Sequence, residues 1–192
     1  MSCLLSNLKK IEELYHTAND SEKEMLLLKL AFLEFAGWIE NSFDDICCKI
    51  SKNDSKLEKE IQNYIKSCYS FTYEKLRRCL CFCIGIKHII LLENCFNEKD
   101  LKTFSTTLDT IKKKRDELAH NQINGVMQNF MIFSEIKKNL KIVRFGFSKI
   151  KLILDIINLY KFLKHTACFR RSKLDFFYLL FITRYNECYF SV

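Results

Sequence analysis

The string from Lys112 to Asn121, KKKRDELAHN, contains the strongest candidates for chemistry in this chain. Within it, Arg115 and His120 are spaced R-x4-H. A guanidinium binds phosphate oxygens through paired N–H donors. Histidine is the side chain whose ordinary pKa lies closest to neutral, and it therefore suits proton transfer. Together, these two side chains point to chemistry at a phosphodiester.

One such pair is poorly spaced to hold a single phosphate. In a regular helix the step from Arg115 to His120 corresponds to a rise of about 7.5 Å and a rotation of about 140°. A two-fold axis near this helix end would instead bring two arginines and two histidines into one cleft. There the guanidinium groups can neutralise developing charge while an imidazole moves the proton of a ribose 2′-hydroxyl. Such a reaction cleaves RNA without a metal and spares DNA, which lacks the nucleophile.

Other residues offer weaker chemistry. His88 lies in an apolar run and is interpreted as a hydrogen-bonded histidine of the core or its rim. The triplet Cys79, Cys81 and Cys83 lies in the same kind of run, where residues two apart point about 200° away from each other. Zinc sites instead draw on C-x2-C to C-x4-C pairs. With four glycines, the chain also lacks glycine-rich phosphate loops. We therefore predict no metal and no cofactor.

The positive charge lies in the C-terminal part of the chain. The net charge is +8, yet residues 1–135 hold 19 Lys and Arg against 20 Asp and Glu. Residues 136–192 hold 12 against 3, a balance of +9. Such a block suits a polyanion such as RNA or DNA, or an anionic membrane surface. The alternative interpretation is a solvated, lysine-rich helix face.

Composition predicts an all-α protein. The chain has 192 residues, 48% of them hydrophobic, which is enough for a sizeable core and excludes general disorder. Four glycines and no proline disfavour turn-dense sandwiches and barrels. Helical periodicity and capping residues such as Ser21, Asn97 and either Thr72 or Ser70 predict an up-and-down bundle of about five helices. These helices span residues 21–50, 55 to about 67, 72 to about 95, 97 to between 121 and 125, and 134 to about 164.

Apolar residues that recur at spacings of three and four predict which helix faces are buried. In the first helix these residues are Leu26, Leu27, Leu30, Leu33, Ala36, Gly37, Trp38, Phe43 and Ile46, with Glu40 on another face. The run from Leu80 to Leu92 is apolar nearly all round, which predicts the central helix. The last helix presents Ile136, Leu140, Val143, Phe147, Ile150, Leu154, Ile157 and Phe162.

The chain is predicted to form one domain, residues 1–165, followed by a basic and aromatic tail, residues 166–192, packed on the domain or a second subunit. The apolar run from Phe176 to Ile182 is too short to span a bilayer, which needs about 20 residues. We therefore expect no stable membrane insertion, although the tail can alternatively lie on a membrane surface. No signal peptide is visible, so we expect a cytoplasmic protein with reduced thiols.

Two separated segments resemble the HEPN (Higher Eukaryotes and Prokaryotes Nucleotide-binding) superfamily. Residues Arg115 to Asn121 resemble its R-x4-6-H signature, in which a polar residue commonly follows the arginine and an alanine precedes the histidine. Residues Leu28 to Glu40 resemble the first long helix of HEPN families of the RiboL-PSP type. The similarity in layout covers about residues 21–160. Where the family usually has a glycine after the histidine, this chain has an asparagine.

The resemblance implies an all-α homodimer that acts as a metal-independent endoribonuclease in toxin–antitoxin, abortive-infection or other defence systems. Arg115 and His120 would be its catalytic pair, and Asp116 the polar residue that orients them. RNA and an antitoxin protein are the implied partners. The alternative is a non-catalytic HEPN-type module that binds RNA, a nucleotide or a protein. We predict further RNA contacts from Lys112, Lys113, Lys114 and Asn121.

Overall fold

The computed structural model describes residues 2–51, 55–67, 70–120 and 131–165. These ranges contain helices and no strand, so the predicted all-α class is confirmed. They form seven α-helices and one 3-10 turn, more than the five helices predicted. The helices are α1 (Ser2–His16), α2 (Ser21–Cys48), α3 (Ser55–Ser67), α4 (Tyr73–Ile84), α5 (Ile86–Asn94), α6 (Glu98–His120) and α7 (Phe133–His165), and the 3-10 turn is Lys49–Ser51.

Helix α1 is missing from the prediction, although its pattern is readable. Leu4, Leu8 and Ile11 are spaced four and three apart and therefore share one face. All three are buried, and α1 packs along α2. Asn7 Nδ2 also donates to Glu34 Oε2 between these helices, at 3.2 Å. The N-terminal segment thus completes the core on one side of α2.

The helix predicted over residues 72–95 is divided at Gly85. This residue has a φ of +84°, which L side chains rarely adopt, and its amide donates to the Cys81 carbonyl at 2.9 Å. Helix α4 therefore ends where α5 begins, and the predicted central helix from Leu80 to Leu92 does not form. The centre of the bundle is α2, which packs against α1, α3, α4, α6 and α7.

Capping residues set the starts of three helices. Thr72 Oγ1 accepts from the Lys75 amide at 3.4 Å, and Asn97 Oδ1 accepts from the Lys99 amide at 2.9 Å. Both predicted caps are confirmed. The cap of α2 is Asp20, one residue before the predicted cap Ser21, because Asp20 Oδ1 accepts from the Glu22 amide at 3.1 Å.

Three leucines of α2 that periodicity predicts to be buried are exposed. Leu26 and Leu30 are each 46% exposed, and Leu33 is 37% exposed. The face turned to the core lies opposite this leucine row. Since α2 is apolar over much of its circumference, periodicity alone did not show which part the rest of the chain covers. Residues of the buried face include Ala31, Phe32, Phe35, Ile39, Phe43 and Ile46.

A close approach between α6 and α7 fixes the position of α6. Phe104 of α6 is fully buried, and its ring lies over Gly146 of α7. A Cβ atom on Gly146 would lie 2.4 Å from that ring. The Phe104 ring also contacts Phe147 edge-on, with 5.7 Å between centroids. The predicted apolar side of α7 is buried at Ile136, Leu140, Val143, Phe147, Ile150, Leu154 and Ile157.

Lys149 of α7 is a buried cation, 8% exposed. Its Nζ donates to the Cys95 carbonyl at 2.9 Å and lies 5.0 Å from the centroid of the Phe96 ring. Burial lowers the pKa of Lys149 below its usual value, while Asp100 acts in the opposite direction. This amine ties α7 to the end of α5.

Helices α2 and α7 run side by side in the same direction. Trp38 contacts Phe147 with 6.0 Å between ring centroids, and further along both helices Lys49 Nζ lies 2.7 Å from Asp155 Oδ1. The tail, residues 166–192, and the side chain of Phe162 lie outside the described residues. None of the helices described combines the length and hydropathy needed to cross a membrane.

Candidate functional site

Arg115 connects the two helices that contain the resembling segments. It lies in α6, and its Nη2 donates to Glu40 Oε1 of α2 at 2.6 Å. Its Nη1 donates to Asp116 Oδ1 at 3.3 Å. The side chains of Arg115 and Glu40 are 35% and 41% exposed. The pair therefore lies at the surface, where a ligand can reach it.

Asp116 lies between two cations. It accepts from Arg115 and also from Nζ of Lys112, one turn earlier on α6. The hydrogen bond from Lys112, together with the charges of Lys112 and Arg115, lowers the pKa of Asp116 below its usual value. Asp116 is therefore ionised at neutral pH and holds both cations close together. This geometry suits the positioning role expected for Asp116.

Asp116→Asn is expected to lower stability at neutral pH but not in strong acid. The folded-state pKa of Asp116 lies below the unfolded value of 3.8. Its ion pairs therefore contribute fully above that value, and the contribution is lost as the pH falls through the lowered pKa. We expect a difference of about 0.2 to 1 kcal/mol at neutral pH, as for partly exposed ion pairs. Urea unfolding of both proteins from about pH 7 to about pH 2 measures it, and a constant difference contradicts the ion pairing.

The cluster of Lys112, Arg115, Asp116 and Glu40 carries two positive and two negative charges. A guanidinium has five N–H donors, and the two contacts above use one each from Nη1 and Nη2 of Arg115. A phosphate would therefore meet an oriented guanidinium with further donors but no excess positive charge. Additional positive charge has to come from neighbouring groups or from a second copy of the chain.

The other predicted site residues do not all belong to the cluster around Arg115. Lys112 belongs to the cluster, whereas Lys113 is exposed and Lys114 is half-buried. Successive helical residues point in directions about 100° apart, so the three lysines do not form one patch. Helix α6 ends at His120. The side chain of His120 lies outside the described part of the structure, as does Asn121.

A cleft adjoins the cluster at Glu40. It has a volume of about 500 Å³ and lies between α2, the end of α3 and the segment before α4. Buried Phe43 and Phe71 contribute apolar surface to it, and Asp44 contributes a carboxyl group whose pKa is raised by burial and by Glu40. Its volume lies in the range of small-molecule sites in general. The remaining lining residues are Ile65, Lys66 and Ser70.

Two of the cysteine thiols, and His88, make hydrogen bonds within the helical core or at its rim. Cys47 of α2 and Cys79 of α4 are fully buried free thiols, and their hydrogen bond together with burial raises the pKa of Cys47. Among the residues described, no group of three or more His, Cys, Asp or Glu side chains is arranged to hold a metal ion. Nδ1 of His88 lies 2.7 Å from the Ile84 carbonyl, as expected for a hydrogen-bonded histidine.

Glu40 is the residue of this site that sequence analysis missed. Periodicity places it only on a polar face of its helix. A usable signal was present, because the positions three and four residues away hold Ala36, Gly37, Phe43 and Asp44. No basic residue can therefore pair with Glu40 within its own helix. An acidic residue in such a context requires a partner from another helix or from solvent.

Comparisons with protein-family models, with curated proteins and with solved structures found no match to this chain. A function has to be inferred from its own residues and their geometry.

Proposed function

We propose that this protein is a metal-independent endoribonuclease of the HEPN type, acting as a toxin or defence ribonuclease. The observation that carries the proposal is the 2.6 Å bond between Arg115 and Glu40. It joins the two segments that resemble the family, although they lie 75 residues apart in sequence. A surface arginine held between two carboxylates is oriented for a ligand. The paired N–H donors of its guanidinium match the oxygens of a phosphate group.

In the proposed reaction two copies of the chain share one RNA strand. The imidazole of one His120 takes the proton from a ribose 2′-hydroxyl, and the 2′-oxygen attacks the adjacent phosphorus. The bond from phosphorus to the 5′-oxygen breaks, and the His120 imidazolium of the other copy returns a proton to that oxygen. The products are a 2′,3′-cyclic phosphate and a 5′-hydroxyl. Arg115 neutralises the charge that develops on the phosphate oxygens.

The basic surface of α7 supports an RNA substrate. Residues 133–165 contain eight Lys and Arg against two Asp and Glu. Lys138 and Lys141 are exposed, and Arg144 and Lys151 are half-buried. Because the Arg115 cluster is neutral by itself, we assign the long-range attraction of the RNA backbone to this helix. A protein that neutralises the enzyme, as an antitoxin does, would have to cover one of these two surfaces.

Cleavage of a defined oligonucleotide tests this function. Purified full-length protein in EDTA is expected to cut a mixed DNA oligonucleotide only next to its single ribonucleotide, because only that position has a 2′-hydroxyl. Mass spectrometry should find a 2′,3′-cyclic phosphate. The matched control carries a 2′-O-methyl group and should stay intact. Cleavage of the control, or loss of cleavage in EDTA, would refute the mechanism.

The neutral charge of the cluster favours a second candidate function. Glu40 and Asp116 already balance Arg115 and Lys112, which suits a module that binds RNA, a nucleotide or a protein without cleaving RNA. Binding of the same oligonucleotide with no cleavage under any condition would support this alternative and contradict the nuclease.

A further inference from the structure

A row of exposed leucines on α2 has the spacing of a coiled-coil seam. Leu26, Leu30 and Leu33 are followed by Gly37, so the intervals are four, three and four. At 3.6 residues per turn these four positions fall within an arc of about 60°. The leucines are 37–46% exposed, and a Cβ atom placed on Gly37 would meet nothing within 4 Å. Alternating intervals of four and three define the a and d positions of a heptad.

Two charges flank this row on opposite sides. With Leu30 at position a, Lys29 occupies position g and Glu34 occupies position e of the same face. Both side chains are half-buried, and Asn7 Nδ2 donates to Glu34 Oε2 at 3.2 Å, which helps to fix it. Against a parallel copy, a g residue meets the e residue five positions later, so Lys29 would pair with Glu34 of the other copy. Two such ion pairs would form.

The same charges disfavour an antiparallel arrangement. There, g positions meet g positions and e positions meet e positions, so Lys29 and Glu34 would lie on opposite flanks of the seam and could not pair with each other. Only the parallel arrangement therefore brings these opposite charges together. Charge complementarity therefore favours a second copy of this chain in the parallel orientation.

The face of α2 that contains the leucine row also contains a residue of the Arg115 cluster. The next positions of the same row are Glu40 and Asp44. Like charges would repel across a parallel seam at these positions, so the two helices would separate beyond Gly37. Each Glu40 holds its own Arg115 at 2.6 Å. The two arginines would then lie on either side of the gap, where one RNA strand could contact both.

We propose that a second copy of the chain docks on the leucine row, with α2 packed against α2 in parallel and the two-fold axis running along the helices. The dimer places one Arg115 on each side of the axis and so completes a site that a single chain leaves one-sided. Its catalytic consequence rests on the proposed nuclease function. The docking surface itself rests on the leucines and their flanking charges.

Charge substitutions at Leu30 test the surface. Light scattering after gel filtration is expected to show two chains per particle for wild type and one for Leu30→Lys or Leu30→Glu. An equimolar mixture of these variants should regain the dimer, because opposite charges then meet at position 30. The matched control is Ile90→Lys, at a residue of α5 that is 48% exposed, and it should stay dimeric. A monomeric wild type, or variants that remain dimers, would overturn the proposal.

Disulfide trapping tests the orientation. Under mild oxidation, Leu33→Cys is expected to cross-link to its own copy, beyond any cross-linking of wild type, since a parallel seam places residue 33 opposite itself. An antiparallel seam pairs a with d positions, so it would instead join Leu26→Cys to Gly37→Cys in a mixture, which would overturn the parallel orientation. RNA cleavage is scored separately. A dimer that cleaves no RNA refutes the nuclease and leaves this surface standing, whereas a monomeric variant with full activity refutes the shared site.

Discussion

His120→Ala is expected to slow RNA cleavage by about 10²- to 10⁴-fold, the usual contribution of a positioned general acid or base. In the proposed reaction the imidazole of one copy removes the proton of the 2′-hydroxyl, and that of the other copy returns a proton to the leaving 5′-oxygen. Alanine can do neither. Because α6 is anchored by buried residues further from its end, such as Leu108 and Ile111, the fold should persist. Initial rates on the oligonucleotide with one ribonucleotide measure the effect.

The control for this variant is His16→Ala. His16 is exposed at the end of α1, and its replacement is expected to leave the cleavage rate unchanged. Far-UV circular dichroism of both variants checks that helix content is retained. A His120→Ala protein that cleaves at the wild-type rate would remove this histidine from the mechanism. A similar loss of activity in His16→Ala would point to a general effect on the protein.

Phe104→Ala is expected to lower the free energy of unfolding by about 3 to 5 kcal/mol, the range for a buried phenylalanine. Phe104 is fully buried and contacts Gly146, Phe147, Phe96 and Tyr73. Its loss leaves a cavity between α6 and α7 that the helices cannot fill without moving. Equilibrium unfolding in urea measures the change.

A second substitution shows whether the contact with Gly146 is responsible. In the wild-type background Gly146→Ala should destabilise by about 1 to 3 kcal/mol, because the new methyl group overlaps the Phe104 ring. In the Phe104→Ala background the same substitution should be neutral or stabilise by up to about 1 kcal/mol, since alanine favours the helix more than glycine does. Equal effects in both backgrounds would contradict the close contact.

Local signals predicted much of the fold. Thr72 and Asn97 cap helices as expected, because a side chain that accepts from an amide two or three residues later acts at short range. The division at Gly85 was missed, since a glycine inside an apolar run is also compatible with a continuous helix. Whether that glycine takes a positive φ depends on the packing of both helices. The exposure of Leu26, Leu30 and Leu33 was missed because periodicity identifies a face without showing what covers it.

The candidate site could likewise be predicted from the sequence only in part. The proximity of Lys112, Arg115 and Asp116 follows from their positions one and four residues apart on one helix. Glu40 lies 75 residues from Arg115, and only the packing of α6 against α2 brings them together. That packing depends in turn on Phe104 lying over Gly146, a contact between side chain and backbone that no hydrophobic pattern encodes.

Lys149 has a consequence for which sequences this fold accepts. On the outer side of α7, Lys138 and Lys141 are exposed, and arginine or glutamine could replace either without disturbing the core. At position 149 the side chain must be long enough to reach the Cys95 carbonyl, carry a donor at its end, and be slim enough to pass between the Phe96 and Phe145 rings. Methionine fits the space but lacks the donor, and arginine brings a wider planar head group. Among the lysines of α7 whose side chains the structure describes, this inward-facing one is therefore harder to replace than Lys138 or Lys141.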